Sequence, residues 1–270
     1  MKKIIFLFLI ASCIIGCSAD DTIETPPAIV FNGNLVLKTQ ADVDAIGTQG
    51  YNVISGTLVI GDFFTGTNTP VPSDIVDLTP LSTITSVGRQ IEIQSNPFLT
   101  SLDGLSNLRV TSGLIIRDNQ NLTSLDGLTS LNRIDANPIL TGQTFFSGGA
   151  IVLIDNPALT SIEALSNINP QVIHEVTIKN TGLASLEGLG NLTEIIRLQI
   201  INNDNLTSLT ALEGLTSVEN TVFIFGNDSL SDYCALQTSL QSNLDLTIYN
   251  VFDNQFNPTF QNIVDGDCVQ

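Results

Sequence analysis

Positive charge is the first thing this chain lacks. Its 270 residues carry nine Lys and Arg against 27 Asp and Glu. Phosphate backbones are held by clustered bases, so this balance argues against nucleic acid as a partner. Histidine is nearly missing too. His174 is the only one, with no cysteine or serine coupled to it by spacing, and we read it as an ordinary surface or loop residue. P-loop, G-x-S-x-G, H-E-x-x-H, C-x-x-C and dinucleotide patterns are all absent from the sequence. The expectation is a protein that is not an enzyme and uses no cofactor or metal. A hydrolase would need a Ser/His arrangement or a pair of acids gathered from separate parts of the chain, and no such pair stands out. Asp118-Asn119-Gln120-Asn121, Asn202-Asn203-Asp204-Asn205 and Asp265-Gly266-Asp267 offer oxygens to calcium, but not with EF-hand spacing. Turn formation accounts for the same residues.

Long apolar runs are also scarce. The one that stands out, Ile4 to Ile15, follows Met1-Lys2-Lys3 and falls short of the roughly 20 residues that a membrane-spanning helix needs. It reads as an export signal over residues 1–16. The Ile14-Ile15-Gly16-Cys17 that ends it resembles the bacterial lipobox, which implies cleavage before Cys17 and acylation of that residue. Cys13 would leave with the signal. Several acyl chains, each contributing about 0.8 kcal/mol per buried methylene, fix a protein to a bilayer firmly. Residues 17–27 are polar and acidic and end in Pro26-Pro27, a composition suited to a tether. Its Ser18-Ala19-Asp20-Asp21 resembles the acidic tag that takes lipoproteins of Bacteroidetes to the cell surface. The resulting expectation is an outer-membrane lipoprotein facing outward, with the periplasmic side as the alternative.

Without the signal, seven bases face 27 acids, a net charge of −20. Two cysteines, Cys234 and Cys268, also remain. In an oxidising compartment they form a pairable set, and a disulfide between them would hold a C-terminal cap, residues 231–270, onto the body.

What the sequence has in abundance is repetition. From Leu58 to Leu230 it cycles through L-x-I-x-x-N-x-x-L-T-S-L-x-G-L-x-x-L, with clear copies starting at Ile91, Leu114, Ile151, Val176, Leu198 and Val222. Alternating apolar residues predict strands stacked in parallel, and leucines at three-residue intervals predict turns of chain that keep facing inward. Insertions fall between Asn132 and Ala150 and between Phe64 and Pro72. Asn96, Asn119, Asn156, Asn203 and Asn227 recur at one position, which predicts a structural ladder of inward amides. The Val176 copy carries Asn180 one residue early, so a tighter turn is expected there. Stacked repeats need covers at both ends. Thr39 to Gly47 reads as a capping helix with Thr39 at its N-cap and Gly47 as its stop, while Ser231 to Cys234 and Asn257-Pro258-Thr259 open two more helices.

The same period fixes which strand residues face outward. One row holds Val59, Glu92, Ile115, Val152, Thr177, Gln199 and Phe223; the next holds Gly61, Gln94, Arg117, Ile154, Lys179, Ile201 and Phe225. An apolar stripe bordered by Arg117 and Lys179 is the composition of a protein-binding surface, unless loops cover it. Candidate binding residues are Glu92, Ile115, Arg117, Val152, Lys179, Gln199, Phe223 and Phe225.

The opening LKTQADVDAIGTQGYNVISGTLVIG, the LTSLDGLSNL and LTSLDGLTSL units and the terminal YCALQ to GDC segment together resemble the receptor L-domain family. That family comprises the leucine-rich modules of insulin and epidermal growth factor receptor ectodomains and includes bacterial lipoprotein versions. The resemblance covers roughly residues 35–270. It implies a mainly β, right-handed leucine-rich solenoid with parallel sheet and short capping helices, its body spanning residues 28–230. By analogy it also implies binding or adhesion to a protein or glycan. The alternative is an accessory lipoprotein packed into an envelope complex.

Overall fold

The computed structural model describes residues 27–62, 71–134, 149–169, 172–243 and 246–270. The signal, Cys17, nearly all of the tether and most of both insertions lie outside them.

In chain order the elements begin with β1 (Val30–Phe31), β2 (Leu35–Leu37), α1 (Gln40–Gly47), β3 (Val53–Ile54) and β4 (Leu58–Gly61). Then come β5 (Ser86–Val87), β6 (Gln90–Gln94), β7 (Val110–Thr111), β8 (Gly113–Arg117) and β9 (Arg133–Ile134). Longer strands follow: β10 (Gly149–Asn156), β11 (Val172–Thr181), β12 (Glu194–Ile201) and β13 (Ser217–Phe225). The chain closes with α2 (Gln237–Ser242), β14 (Ile248–Phe252) and α3 (Phe260–Asp265).

The protein is mainly β. Two sheets run in order along the chain, a five-stranded one, β1-β3-β5-β7-β9, and a nine-stranded one, β2-β4-β6-β8-β10-β11-β12-β13-β14, and every strand pair in them is parallel. Each coil of chain thus adds its strand beside that of the coil before it. The alternating strand residues Ile91 and Ile93, Leu114 and Ile116, Ile151 and Leu153, Val176 and Ile178 all point into the core and are fully buried. The leucines spaced by three do the same from the opposite wall: Leu99, Leu102, Leu105 and Leu108 are buried, as are Leu122, Leu125, Leu128 and Leu131. Single 3-10 turns such as Asp103–Leu105 and Asp126–Leu128 make this spacing possible, since three residues per turn bring every third side chain back to one face. Successive coils touch closely here. A Cβ added at Gly127 would sit 2.0 Å from the carbonyl oxygen of Leu102, which is why the repeat carries glycine at that position.

At the end of most of these strands the chain bends through one left-handed residue: Ser95, Asp118, Asn202, Gly226 and Asp253 directly follow their strands, Asp155 and Asn180 are the second-last residues of β10 and β11, and all have positive φ. Short polar residues and glycine tolerate that conformation best. The next residue is the ladder position. Asn119 donates to Ile93 O at 3.0 Å and accepts from the Asn96 backbone N–H at 3.2 Å; Asn156, in the next coil, and Asn227, in a later one, repeat the pattern with the coils before them. The register is intact in the Val176 coil, so the tighter turn expected there does not form. Asn180 is the left-handed residue, and the ladder position belongs to Thr181, whose N–H and hydroxyl both donate to Asn203 Oδ1. The ladder extends one step past Asn227 to Asn254, which donates to Ile224 O at 3.1 Å and accepts from the Asn227 N–H at 3.0 Å.

At the first end α1 starts with a capping box between Thr39 and Asp42. Gly47 is its last residue rather than a left-handed stop. Its lack of a side chain admits Pro80, whose Cβ would lie 2.4 Å from an added Cβ. At the other end Cys234 and Cys268 are joined by a disulfide, with Cα atoms 4.9 Å apart. Tyr233 is fully buried beside it and donates to Phe256 O. Tyr249 donates to Pro258 O and meets Phe260 of α3 edge to face. Burial pushes both phenols up from their ordinary range. Among the described residues no helix is long and apolar enough to cross a membrane.

Candidate functional site

The outward face of the nine-stranded sheet is built by register. Val59, Glu92, Ile115, Val152, Thr177, Gln199 and Phe223 stand side by side on successive strands, and β14 adds Asn250 to this row. In the second row Gly61, Gln94, Arg117, Ile154, Lys179, Ile201 and Phe225 align in the same way, ending at Phe252.

Alignment does not make these residues equally accessible. Ile115, Val152 and Ile201 are buried, at 9%, 4% and 8% exposure, so the expected stripe is not one continuous apolar surface. A short branched side chain in mid-ladder has neighbours on both flanks, and long Arg and Lys stems beside it cover apolar area. The aromatic end differs. Phe223 and Phe225 are half-buried, Phe252 is 41% exposed, and the three rings form one group. Phe225 stacks on Phe252 with centroids 5.0 Å apart, while Phe223 meets each of them edge to face.

Two polar clusters occupy the rest of the face. In the first, Gln94 donates to Glu92 Oε2 at 2.6 Å, and Arg117 follows Gln94 in its row. Burial pushes the Glu92 carboxyl above its ordinary range, against the pull of Arg117 and the Gln94 bond. Asp118 is raised as well, by burial first and then by repulsion from Asp155, with Arg117 pulling the other way. Asp155 itself accepts a bond from the Asn180 amide. The Nε of Arg117 is buried and makes no hydrogen bond among the described residues. In the second cluster, Arg197 lies 3.6 Å from Glu175, which also accepts a bond from the Thr177 hydroxyl at 2.9 Å. Lys179 and Gln199 lie half-buried between these groups and the aromatic end, and both make no side-chain bond among the described residues.

Chemically this face offers apolar contact at one end and fixed charge of both signs in the middle. Among the described residues no group of three or more His, Cys, Asp and Glu is arranged to hold a metal ion. The sequence reading missed β14 and with it Phe252. The signal was present, because Tyr249, Val251 and Asn254 keep the repeat's spacing, but a tyrosine stands where the motif has leucine. No family model matches this chain, and no curated protein matches it.

Proposed function

We propose that the chain is a lipid-anchored, non-catalytic surface protein in which a right-handed leucine-rich solenoid of the receptor L-domain type binds a protein or glycan. The observation that carries this reading is the grouping of Phe223, Phe225 and Phe252 at the accessible end of an outward sheet face, with Lys179 and Arg117 further along the row. Accessible aromatic groups beside fixed charges supply contact area at low conformational cost, and interfaces concentrate their energy in such residues. The anchor at Cys17 and the outer-membrane location rest on the signal, the lipobox resemblance and the acidic tether.

The test is binding of cells that display the full chain to immobilised glycans and to immobilised extracellular proteins. The Phe223→Ala, Phe225→Ala double variant is expected to weaken attachment at least about tenfold while surface display stays unchanged. Unchanged attachment would move the site from the sheet face to the insertions. Attachment to neither surface, with co-purification of envelope proteins instead, would favour the accessory lipoprotein.

A further inference from the structure

β14 ends the nine-stranded sheet, and among the described residues nothing pairs with its outer backbone edge. Its pairing is with β13 alone; among the described residues no other backbone-to-backbone hydrogen bond reaches Ile248 to Phe252, and the one side-chain bond to this stretch of backbone is the Asn254 amide donating to Phe252 O at 3.0 Å. The chain beyond it turns away. Gln255 and Phe256 donate to the carbonyls of Asn227 and Leu230, back on the preceding coil, and Phe260 of α3 meets the inward-facing Tyr249. The cap therefore plugs the apolar core without covering the strand's edge.

Open edges are ordinarily protected by charge, proline, a bulge or short length. The segment Ile248-Tyr249-Asn250-Val251-Phe252 has no charge and no proline, and it pairs with β13 without a register shift. Its outward residues are exposed, Ile248 at 40% and Phe252 at 41%. They are also self-complementary. If two copies of this strand meet antiparallel about a two-fold axis at Asn250, Ile248 of each faces Phe252 of the other, and Asn250 faces Asn250. Asp253 then falls opposite Thr247, so no like charges oppose one another despite the acidity of the chain.

We propose that the β14 edge is a homodimer interface, in which a second copy of this chain adds its own β14 antiparallel and extends the sheet across a two-fold axis. One strand edge with two apolar contacts per side buries less than the roughly 1,000 Å² of a tight interface, so association is in the micromolar range. The dimer would join the aromatic ends of two outward faces into one surface. The proposal does not depend on what that surface binds.

The experiment uses the full chain extracted in mild detergent, with mass measured by light scattering across a concentration series. Wild type is expected to shift from monomer to dimer. Asn250→Lys puts two ammonium groups face to face on the axis and is expected to raise the dissociation constant at least about tenfold. Val36→Lys, at the opposite edge of the sheet, should leave it unchanged. Residues paired across antiparallel strands have Cα atoms about 4.5–5.5 Å apart, within disulfide reach, so Asn250→Cys should cross-link two copies on oxidation. That second readout requires no loss of folding. A wild type that stays monomeric up to about 100 µM, well above the expected range, overturns the proposal. So does a dimer that neither responds to Asn250→Lys nor cross-links through Asn250→Cys.

Discussion

The two ends of the nine-stranded sheet solve the same problem differently. At the first end, β2 is only three residues long, is followed by Lys38, which pairs with Asp62 at 2.9 Å, and leads into α1, whose Val43 is fully buried. The edge there is short and charged, and a helix covers the core. At the last end, β14 has five uncharged residues, α3 meets it through Phe260 on Tyr249, and α2 packs on β13 and α3 beside the disulfide. The core there is closed by aromatic plugs and a covalent bond, but no described residue pairs with the backbone edge. Sealing an apolar core and blunting a strand edge are thus separate tasks, and a stack of repeats can perform one without the other.

Four changes sharpen this contrast, in falling order of effect. Replacing Cys234 and Cys268 together by serine removes a closure of 34 residues and should cost about 3–4 kcal/mol by the chain-entropy estimate. Chemical denaturation would measure it, and hydrogen exchange should show β13 and β14 losing protection before β4 and β6. Asn227→Ala leaves the Asn203 N–H and the Ile200 carbonyl buried without their partner, an expected loss of about 2–3 kcal/mol in the same assay. At the opposite end, Thr39→Ala deletes the N-cap bond of α1 and should cost about 1 kcal/mol, with exchange rising in α1 and β2 only.

The smallest effect is a pH dependence in the middle of the sheet. Burial raises the folded-state pKa of Glu92 above its ordinary value of 4.5. An acid raised by folding favours the native state while protonated. Its contribution is complete below the unfolded value and is lost as pH rises through the folded one. Glu92→Gln does not titrate, so wild type should lose stability relative to this variant as pH rises from 4 through the region above 4.5. Paired melts at several pH values test the sign, and a difference that does not change with pH would contradict the burial argument.

Much of the fold was legible because the repeat leaves little choice. Alternating Ile and Leu place strand residues, three-residue leucine spacing places turns, and an asparagine at a fixed offset marks where the backbone needs an inward amide. Residue type misleads where position is what the backbone reads. Asn180 drew attention as a displaced ladder residue, although Thr181 holds the correct offset and performs part of the same bonding. Tyr249 in place of leucine masks the last copy of the repeat, and with it β14, Asn254 and the unpaired edge. The candidate site was legible in its rows, since register follows from period. Accessibility was not, because exposure of Ile115 or Val152 depends on neighbours from other coils that no single repeat reveals. Cys17 and most of both insertions lie outside the described residues, so for them the sequence reading stands alone.

The proposed function requires that a lipidated Cys17 hold this chain at the cell surface with the sheet face outward. Protease shaving of intact cells checks this requirement, comparing the full chain with Cys17→Ala and detecting the released repeat domain. Wild type is expected to fractionate with membranes and to be shaved from cells, while Cys17→Ala is expected as soluble protein. A wild type that is membrane-bound yet protected from protease, or a Cys17→Ala variant that stays on the membrane, would contradict it.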